Sequence, residues 1–426
     1  MLYVAYTMKQ WYKLSEVADL LGVSKDTIKR REKKGLITSK RDENNNYRMF
    51  HIDNLKKFPE LQYMFEEDSD EKRYVKPNQD YHGIELFAGA GGLALGLEKA
   101  GLKSKLLVEI DKNAAETLSI NRQDWNIICG DVAEVDYSEY SVDFITGGFP
   151  CQAFSYAGNK GGFNDTRGTL FFEFARAIKE IKPKIFVGEN VRGLMSHEKG
   201  RTIEIMIKVL MELGYNIQVK VLKAINYDVP QKRERTFIVG TLPGYRFKFP
   251  RQRNYMLTLK DALENVPESM GAKYNDQKAE ILKYVPPGGY WRDLPIDLQK
   301  TYMKKSFFLG GGKTGMARRM SWDEPCLTLT TSPQQKQTER CHPDETRPFT
   351  VREYARIQTF PDEWQFAGAM TSQYKQIGNA VPVNLAEHVG REIVRTLNQE
   401  TKFHDQTTCV ADICSICRLP EKFFKN

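Results

Sequence analysis

The chain is poor in cysteine, with seven in 426 residues: Cys129, Cys151, Cys326, Cys341, Cys409, Cys414 and Cys417. An odd, scattered set does not form a disulfide framework, and Met1 to Trp11 lacks the apolar core and small-residue cleavage site of a secretory leader. The expected setting is a reducing cytoplasm. No apolar run approaches the ~20 residues of a membrane span, which argues against a membrane protein. The spacing of His404, Cys409, Cys414 and Cys417 fits no zinc pattern well, so no metal is expected. There is no internal repeat. Charge of one sign is also lacking: 63 Lys and Arg face 55 Asp and Glu, a net of +8. That modest excess suits a polyanionic partner without requiring one. The length allows a large core plus one or two smaller units.

Residues 1–60 read as a separate helix-turn-helix unit. Leu14 to Leu21 is a short amphipathic helix with Ser15 as its expected N-cap, Gly22-Val23 a turn, and Ser24 the cap of a second helix. From Ser24 to Lys34 six basic residues face two acidic ones. Lys25, Lys29, Arg30 and Arg31 are the expected phosphate contacts. A hairpin-like segment, Ser39 to Asn46, follows, then Asn46-Tyr47-Arg48-Met49-Phe50. This order resembles the MerR-like winged-helix family. The other reading is a solvated basic helix in a protein-docking module. An acidic linker occupies 61–80.

From His82 to Gly240 the chain alternates apolar strand patterns with Gly or Pro turns and helical patterns. That rhythm predicts an α/β fold with a doubly wound, mostly parallel sheet over 81–244. Residues 245–345, rich in Pro, Gly and aromatics, lack the rhythm and suggest a smaller lobe. The chain then returns over 346–400 and ends in a tail, 401–426. In Pro382 to Leu397 the residues Leu385, Val389, Ile393 and Leu397 recur every four positions, a helical burial stripe.

Two stretches carry the chemistry. Phe87-Ala88-Gly89-Ala90-Gly91-Gly92 leaves the first strand for a helix, and Glu109 closes the next strand 20 residues after Gly89. Such glycines let a ligand approach backbone, and the carboxylate is placed for ribose hydroxyls. The third glycine of the dinucleotide pattern is missing, since Ala94 stands there, and a dehydrogenase is the competing reading. Asp131 ends the third strand, suited to an adenine amine or to capping a helix. The second stretch, Gly147-Gly148-Phe149-Pro150-Cys151-Gln152, sets a thiol on a stiff loop after the buried pattern Val142 to Thr146. Arg167 and the helical pattern Thr169 to Ile181 supply the positive surroundings that favour a thiolate nucleophile. A buried structural cysteine is the alternative.

Taken in order, Glu85 to Gly96, Glu109, Gly130-Asp131, Gly148 to Gln152, Arg167 to Phe171, Glu189-Asn190-Val191, Asp228 to Arg235, Arg347 to Pro361 and Gln376 to Pro382 closely resemble the cytosine-C5 DNA methyltransferase family. The resemblance spans roughly 82–398 and implies a class I, Rossmann-like methyltransferase using S-adenosylmethionine, with 245–345 as its target-recognition region. It implies Cys151 as nucleophile toward cytosine C6, Glu189 against N3 and the exocyclic amine, and Arg233 and Arg235, two apart and so on one face of a strand, holding the pyrimidine carbonyl and a phosphate. Cofactor contacts are implied for Phe87, Ala88, Gly89, Gly91, Gly92, Glu109, Ile110, Asp131, Val132, Pro150, Leu170, Asn379, Ala380 and Val381. DNA contacts are implied for Gln152, Ser155, Arg167 and Gln231, with the glycine-rich loop 155–168 closing over the duplex. The expected partners are double-stranded DNA and a restriction endonuclease acting on the same site; the expected enzyme is a monomer. The alternatives are a tRNA-directed enzyme of the same chemistry and a DNA-binding regulator with a silent catalytic domain.

Overall fold

This computed structural model describes residues 10–43, 46–65, 74–150 and 170–398. The chain divides into two compact units, one comprising residues up to Arg73 together with Arg251–Met256, the other the remainder.

In the first unit β1 (Trp11–Lys13) leads into α1 (Leu14–Leu21), then α2 (Lys25–Lys33), β2 (Lys40–Arg41), β3 (Arg48–His51) and the short α3 (Ile52–Leu55). β3 lies antiparallel between β1 and β2, making a small wing. Ser24 caps α2, accepting from Thr27 N–H at 3.1 Å. Ser15 does not cap α1. Glu16 reaches back to the Lys13 N–H at 2.7 Å, so the helix starts earlier, with Lys13 as its cap. Val17, Ile28, Ile37, Phe50, Leu55 and Leu61 form the core, and Met256 packs against it from the returning segment.

The second unit is built on a seven-stranded sheet: β4 (His82–Leu86), β5 (Lys103–Glu109), β6 (Ile127–Cys129), β7 (Phe144–Gly147), β8 (Ile185–Val191), β9 (Asn216–Lys223) and β11 (Glu234–Thr241), with the short β10 (Gln231–Lys232) just before the last. The order is β6-β5-β4-β7-β8-β11-β9. All neighbours from β6 to β8 are parallel, whereas β11 runs antiparallel to both β8 and β9. β9 was not among the strands read from the sequence, although its Ile217, Val219 and Val221 alternate with polar residues as an edge strand should.

Alternate strand residues feed two cores, as the period-2 geometry requires. Ile84, Leu86, Val108, Ile145, Phe186 and Ile238 pack on one face against Phe171, Phe174 and Ile178 of α6 (Leu170–Ile181) and Ile203 and Met206 of α7 (Arg201–Glu212). Phe144, Ile185, Val187, Phe237 and Val239 pack on the other. There they meet Leu93 and Leu97 of α4 (Gly92–Lys99) and the stripe Leu385, Val389, Ile393 and Leu397 of the C-terminal helix Val383–Asn398. Helix α5 (Lys112–Asn121) follows β5.

The apolar residues of 245–345 divide. Leu259, Leu263, Ala272, Met320, Cys326 and Leu329 join a core with Ala88, Ala94, Phe360 and Trp364. Tyr274, Leu282, Trp291, Tyr302, Met316 and Cys341 build a cluster of their own. β12 (Cys326–Leu327) pairs in parallel with β10, linking this region to the strand ends of the sheet.

Candidate active site

A cavity of about 690 Å³ opens at the carboxyl ends of β4, β5, β6, β7 and β8. Strand ends gather there because each chain leaves the sheet through a loop on that side. Phe87, Ala88, Gly89, Gly92, Glu109, Ile110, Asp131, Val132, Pro150, Leu170, Asn379, Ala380 and Val381 all line it. Gly91 does not: a Cβ there would lie 2.7 Å from Leu118 and 3.0 Å from Trp364, so it faces core rather than ligand.

Backbone geometry explains the glycine loop. Gly89 has φ +55 and presents its N–H to Glu109 Oε2 at 2.7 Å. Gly92 passes so close to the Val381 carbonyl that a Cβ would stand 2.3 Å from it, bringing the start of α4 against the segment after Asn379. Phe87 also lies in the left-handed region, at φ +59, a costly conformation for a bulky residue that sets its ring on the cavity wall.

Five acids, Glu85, Glu109, Asp111, Asp131 and Glu189, face two cations, Arg235 and Lys375, around the cavity. Lys375 pairs with Asp111 at 2.9 Å and Arg235 Nε with Glu189 Oε1 at 2.7 Å. Glu109 accepts backbone N–H groups on both oxygens, from Gly89 and Asp111. Asp131 Oδ1 accepts from Ala133 N–H, so the capping role holds, while the side chain still reaches the cavity wall. The sequence marks Glu85 as a strand residue at the start of the Glu85 to Gly96 stretch and assigns it no role of its own. It is 4 % exposed, its nearest side-chain donor is the Thr146 hydroxyl at 3.4 Å, and burial, with a smaller push from Glu109, lifts its pKa to about 8. With Asp111 and Glu189 paired to the two cations, Glu85, Glu109 and Asp131 remain to receive a ligand with donor or cationic groups.

At the inner end, Phe149 and Pro150 reach the cavity beside Glu189. A Cβ on Gly148 would come within 3.1 Å of Glu189 Oε2. Asn190 donates to the Phe149 carbonyl at 2.8 Å while its own oxygen accepts from Val191 N–H. The backbone entering position 151 is thereby tied to β8, a contact no local pattern announced. Glu189 is 8 % exposed; burial outweighs the charges of Arg235 and Arg233 and keeps its pKa above the ordinary carboxylate value. Cys151, Gln152, Ser155, Arg167 and the loop 155–168 lie outside the described residues, as do His404, Cys409, Cys414 and Cys417.

Two expected contacts are corrected. Arg233 is not on one continuous strand with Arg235: it sits in the break between β10 and β11, is 1 % exposed, and donates to the carbonyls of Leu329, Gly378 and Asn379. It fastens the backbone behind Asn379 rather than meeting a substrate. Gln231 is fully buried, donating to Gln358 Oε1 at 2.9 Å and accepting from Leu329 N–H at 3.0 Å, so it cannot reach DNA in this arrangement. In the first unit Lys25, Lys29 and Arg30 are exposed, whereas the Arg31 guanidinium lies 5.3 Å from the centre of the Phe58 ring and is half-buried.

Residues 81–395 match the family model described as C-5 cytosine-specific DNA methylase. The chain belongs to that family and is a DNA (cytosine-5-)-methyltransferase. Membership implies S-adenosylmethionine as methyl donor. Residues 13–50 match the model of the MerR family regulatory protein. The chain is similar to the Type II methyltransferase M.Eco47II of Escherichia coli, 58 % identical over 93 % of this chain and 98 % of that protein. It is also similar to M.PspPI of Psychrobacter sp. (strain TA137), 55 % identical over 91 % and 96 %. Among solved structures it resembles a putative DNA modification methyltransferase encoded within an E. coli prophage, with a TM-score of 0.57 at 26 % identity over 75 % of this chain and all of that one. No helix among the described residues is long and apolar enough to cross a membrane.

Proposed function

We propose that this enzyme methylates C5 of a cytosine extruded from duplex DNA at a short specific site, as the modification arm of a restriction-modification system, through a covalent bond between Cys151 and C6. The observation that carries the reading is the Glu189–Arg235 pair, buried beside the backbone that delivers position 151.

Cytosine C5 is too weak a nucleophile to take a methyl group unaided. Addition of the Cys151 thiolate at C6 moves the ring electrons toward N3 and C5, and Glu189, whose carboxyl is biased toward its protonated form, shares its proton with N3 as that happens. Arg235 fixes the carboxyl's orientation. Methylation at C5 is followed by loss of the C5 proton and departure of the thiolate, which restores the aromatic ring. The target carbon is out of reach in a stacked pair, so the base must leave the helix at a cost of a few kcal/mol.

S-adenosylmethionine, when bound, supplies an electrophilic methyl group on a sulfonium. The cavity suits it: Glu85 offers a buried carboxyl for its cationic portion, Glu109 retains acceptor capacity for ribose hydroxyls, and Phe87, Ile110, Val132 and Leu170 offer apolar surface. The variable region 245–345 is assigned to target recognition, and 346–400 to completing the cofactor wall. The MerR-like unit is assigned a second DNA contact, serving affinity or repression of its own gene. The naming of the similar proteins as Type II methyltransferases favours DNA over the tRNA alternative.

The test is expression followed by sequencing of methylated cytosines, together with trapping on duplexes carrying 5-fluorocytosine at the mapped site. A stable protein–DNA adduct is expected with the wild type and none with Cys151→Ser. A Cys151→Ser enzyme that still methylates at the parental rate would refute the reading.

A further inference from the structure

The stretch Leu298–Trp322 has six basic residues and no acidic one. At its centre Phe308 and Leu309 are 82 % and 65 % exposed, whereas large apolar side chains elsewhere in this region are mostly buried. The tip is braced. The Lys313 ammonium donates to the carbonyls of Ser306 and Leu309, and the Trp291 indole donates to Gly312 O at 3.2 Å. Phe307 is held edge-on to Trp291 at 6.1 Å and in turn meets Phe308 at 5.2 Å. The apolar pair is therefore presented on a fixed base, at a lower entropic cost of ordering than a loose loop would carry.

Lys300, Lys304 and Lys305 are exposed around it. Lys336 adds to the group, donating to Tyr302 O at 2.9 Å, and its pKa is lowered by burial and then by the charges of Lys304 and Lys278, against the opposing charge of Glu339. Lysines that repel one another beside an exposed aromatic form a surface to which a polyanion with flat, apolar faces is complementary. A protein partner would find the apolar tip equally useful but gains less from the exposed ammonium groups of Lys300, Lys304 and Lys305.

We propose that Phe308 and Leu309 are an apolar wedge that inserts between DNA bases beside the target cytosine, with Lys304, Lys305 and Lys336 on the flanking phosphates. Insertion takes over part of the stacking that the departing cytosine loses. This rests on the cytosine-extrusion reading above. Wedge residues of this kind unstack a base step and use the opening to gain contact.

The experiment uses the full-length chain and a duplex containing the site mapped by methylcytosine sequencing. In Phe308→Trp, the added indole's emission is expected to be quenched by the duplex and shielded from acrylamide. Phe308→Ala/Leu309→Ala is expected to weaken binding to the paired duplex by roughly 10- to 100-fold, with an unchanged salt slope. The loss should be clearly smaller when the cytosine faces an abasic site, because opening is then already achieved. An indole that stays accessible in the saturated complex would overturn the proposal. So would equal losses on paired and pre-opened duplexes, or a variant that binds DNA normally but sediments as a smaller species. Wild-type methylation of the pre-opened duplex, measured alongside, tests extrusion independently of the wedge.

Discussion

Glu85 makes a quantitative link between cofactor affinity and pH. In the free protein its carboxyl is buried on the cavity wall and titrates near pH 8, so at pH 6 only about 1 % is ionised and at pH 8 about half. A cationic ligand that engages the carboxylate selects the ionised form and displaces a proton. Over this window the wild-type association constant, divided by that of Glu85→Gln, should rise about 50-fold. The donor's own α-amino group, with an ordinary pKa of about 8, titrates in both proteins and cancels in the ratio. Isothermal titration in buffers of different ionisation enthalpy should show nearly one proton released per cofactor at pH 6.5 in the wild type, and correspondingly less in the variant. A ratio constant from pH 6 to 8 would refute both the contact and the environment assigned to Glu85. The sign for stability is opposite. With a folded pKa above the unfolded one, the native state holds the extra proton between the two values. Free-protein stability therefore falls as pH rises from the ordinary carboxylate range to about 8, and Glu85→Gln should flatten that fall.

Three further outcomes are expected. Arg235→Ala removes the cation opposing burial at Glu189, so the carboxyl's pKa climbs further. The alkaline limb of single-turnover methylation should shift upward while the rate drops by about 10²-fold or more; an unmoved limb argues against Glu189 as proton donor. Arg233→Ala takes the donor from three backbone carbonyls, those of Leu329 and Gly378 buried and that of Asn379 partly so. It should cost about 3 kcal/mol or more in denaturant unfolding; unchanged stability with lost DNA binding would return Arg233 to the substrate. Replacing Lys25, Lys29 and Arg30 by alanine should reduce the slope of log affinity against log salt by up to about 3, read by titration at several ionic strengths. An identical slope would remove the first unit from the DNA.

The parts of the site legible in the sequence were those set by local geometry. Gly89 announces a left-handed turn, Glu109 and Asp131 fall at strand ends, and Phe149-Pro150 stiffens the approach to Cys151. What escaped depends on distant partners or on breaks in regularity. A shared face for Arg233 and Arg235 requires an unbroken strand, and the ladder is interrupted at Arg233 itself. Gln231 is claimed by Gln358, 127 positions away, and Gly91 by Leu118 and Trp364, none of which a local window contains. Glu85 resembled any strand residue because nothing in its neighbourhood reveals how thoroughly both faces of β4 are covered. β9 is a different case: its alternation of Ile217, Val219 and Val221 with polar residues is a local signal, yet neither the strand nor its place beyond a reversed strand is among the sequence expectations.

The packing of Met256 onto the helix-turn-helix core bears on how such a protein can be recombined. A regulator joined end-to-end to an enzyme could be exchanged at one junction. Here Arg251–Met256, from beyond the central sheet, belong to the amino-terminal unit, so a graft needs two crossover points and a cut at residue 73 alone leaves an apolar plug behind. Chimeras that carry both segments should express better than those that carry one.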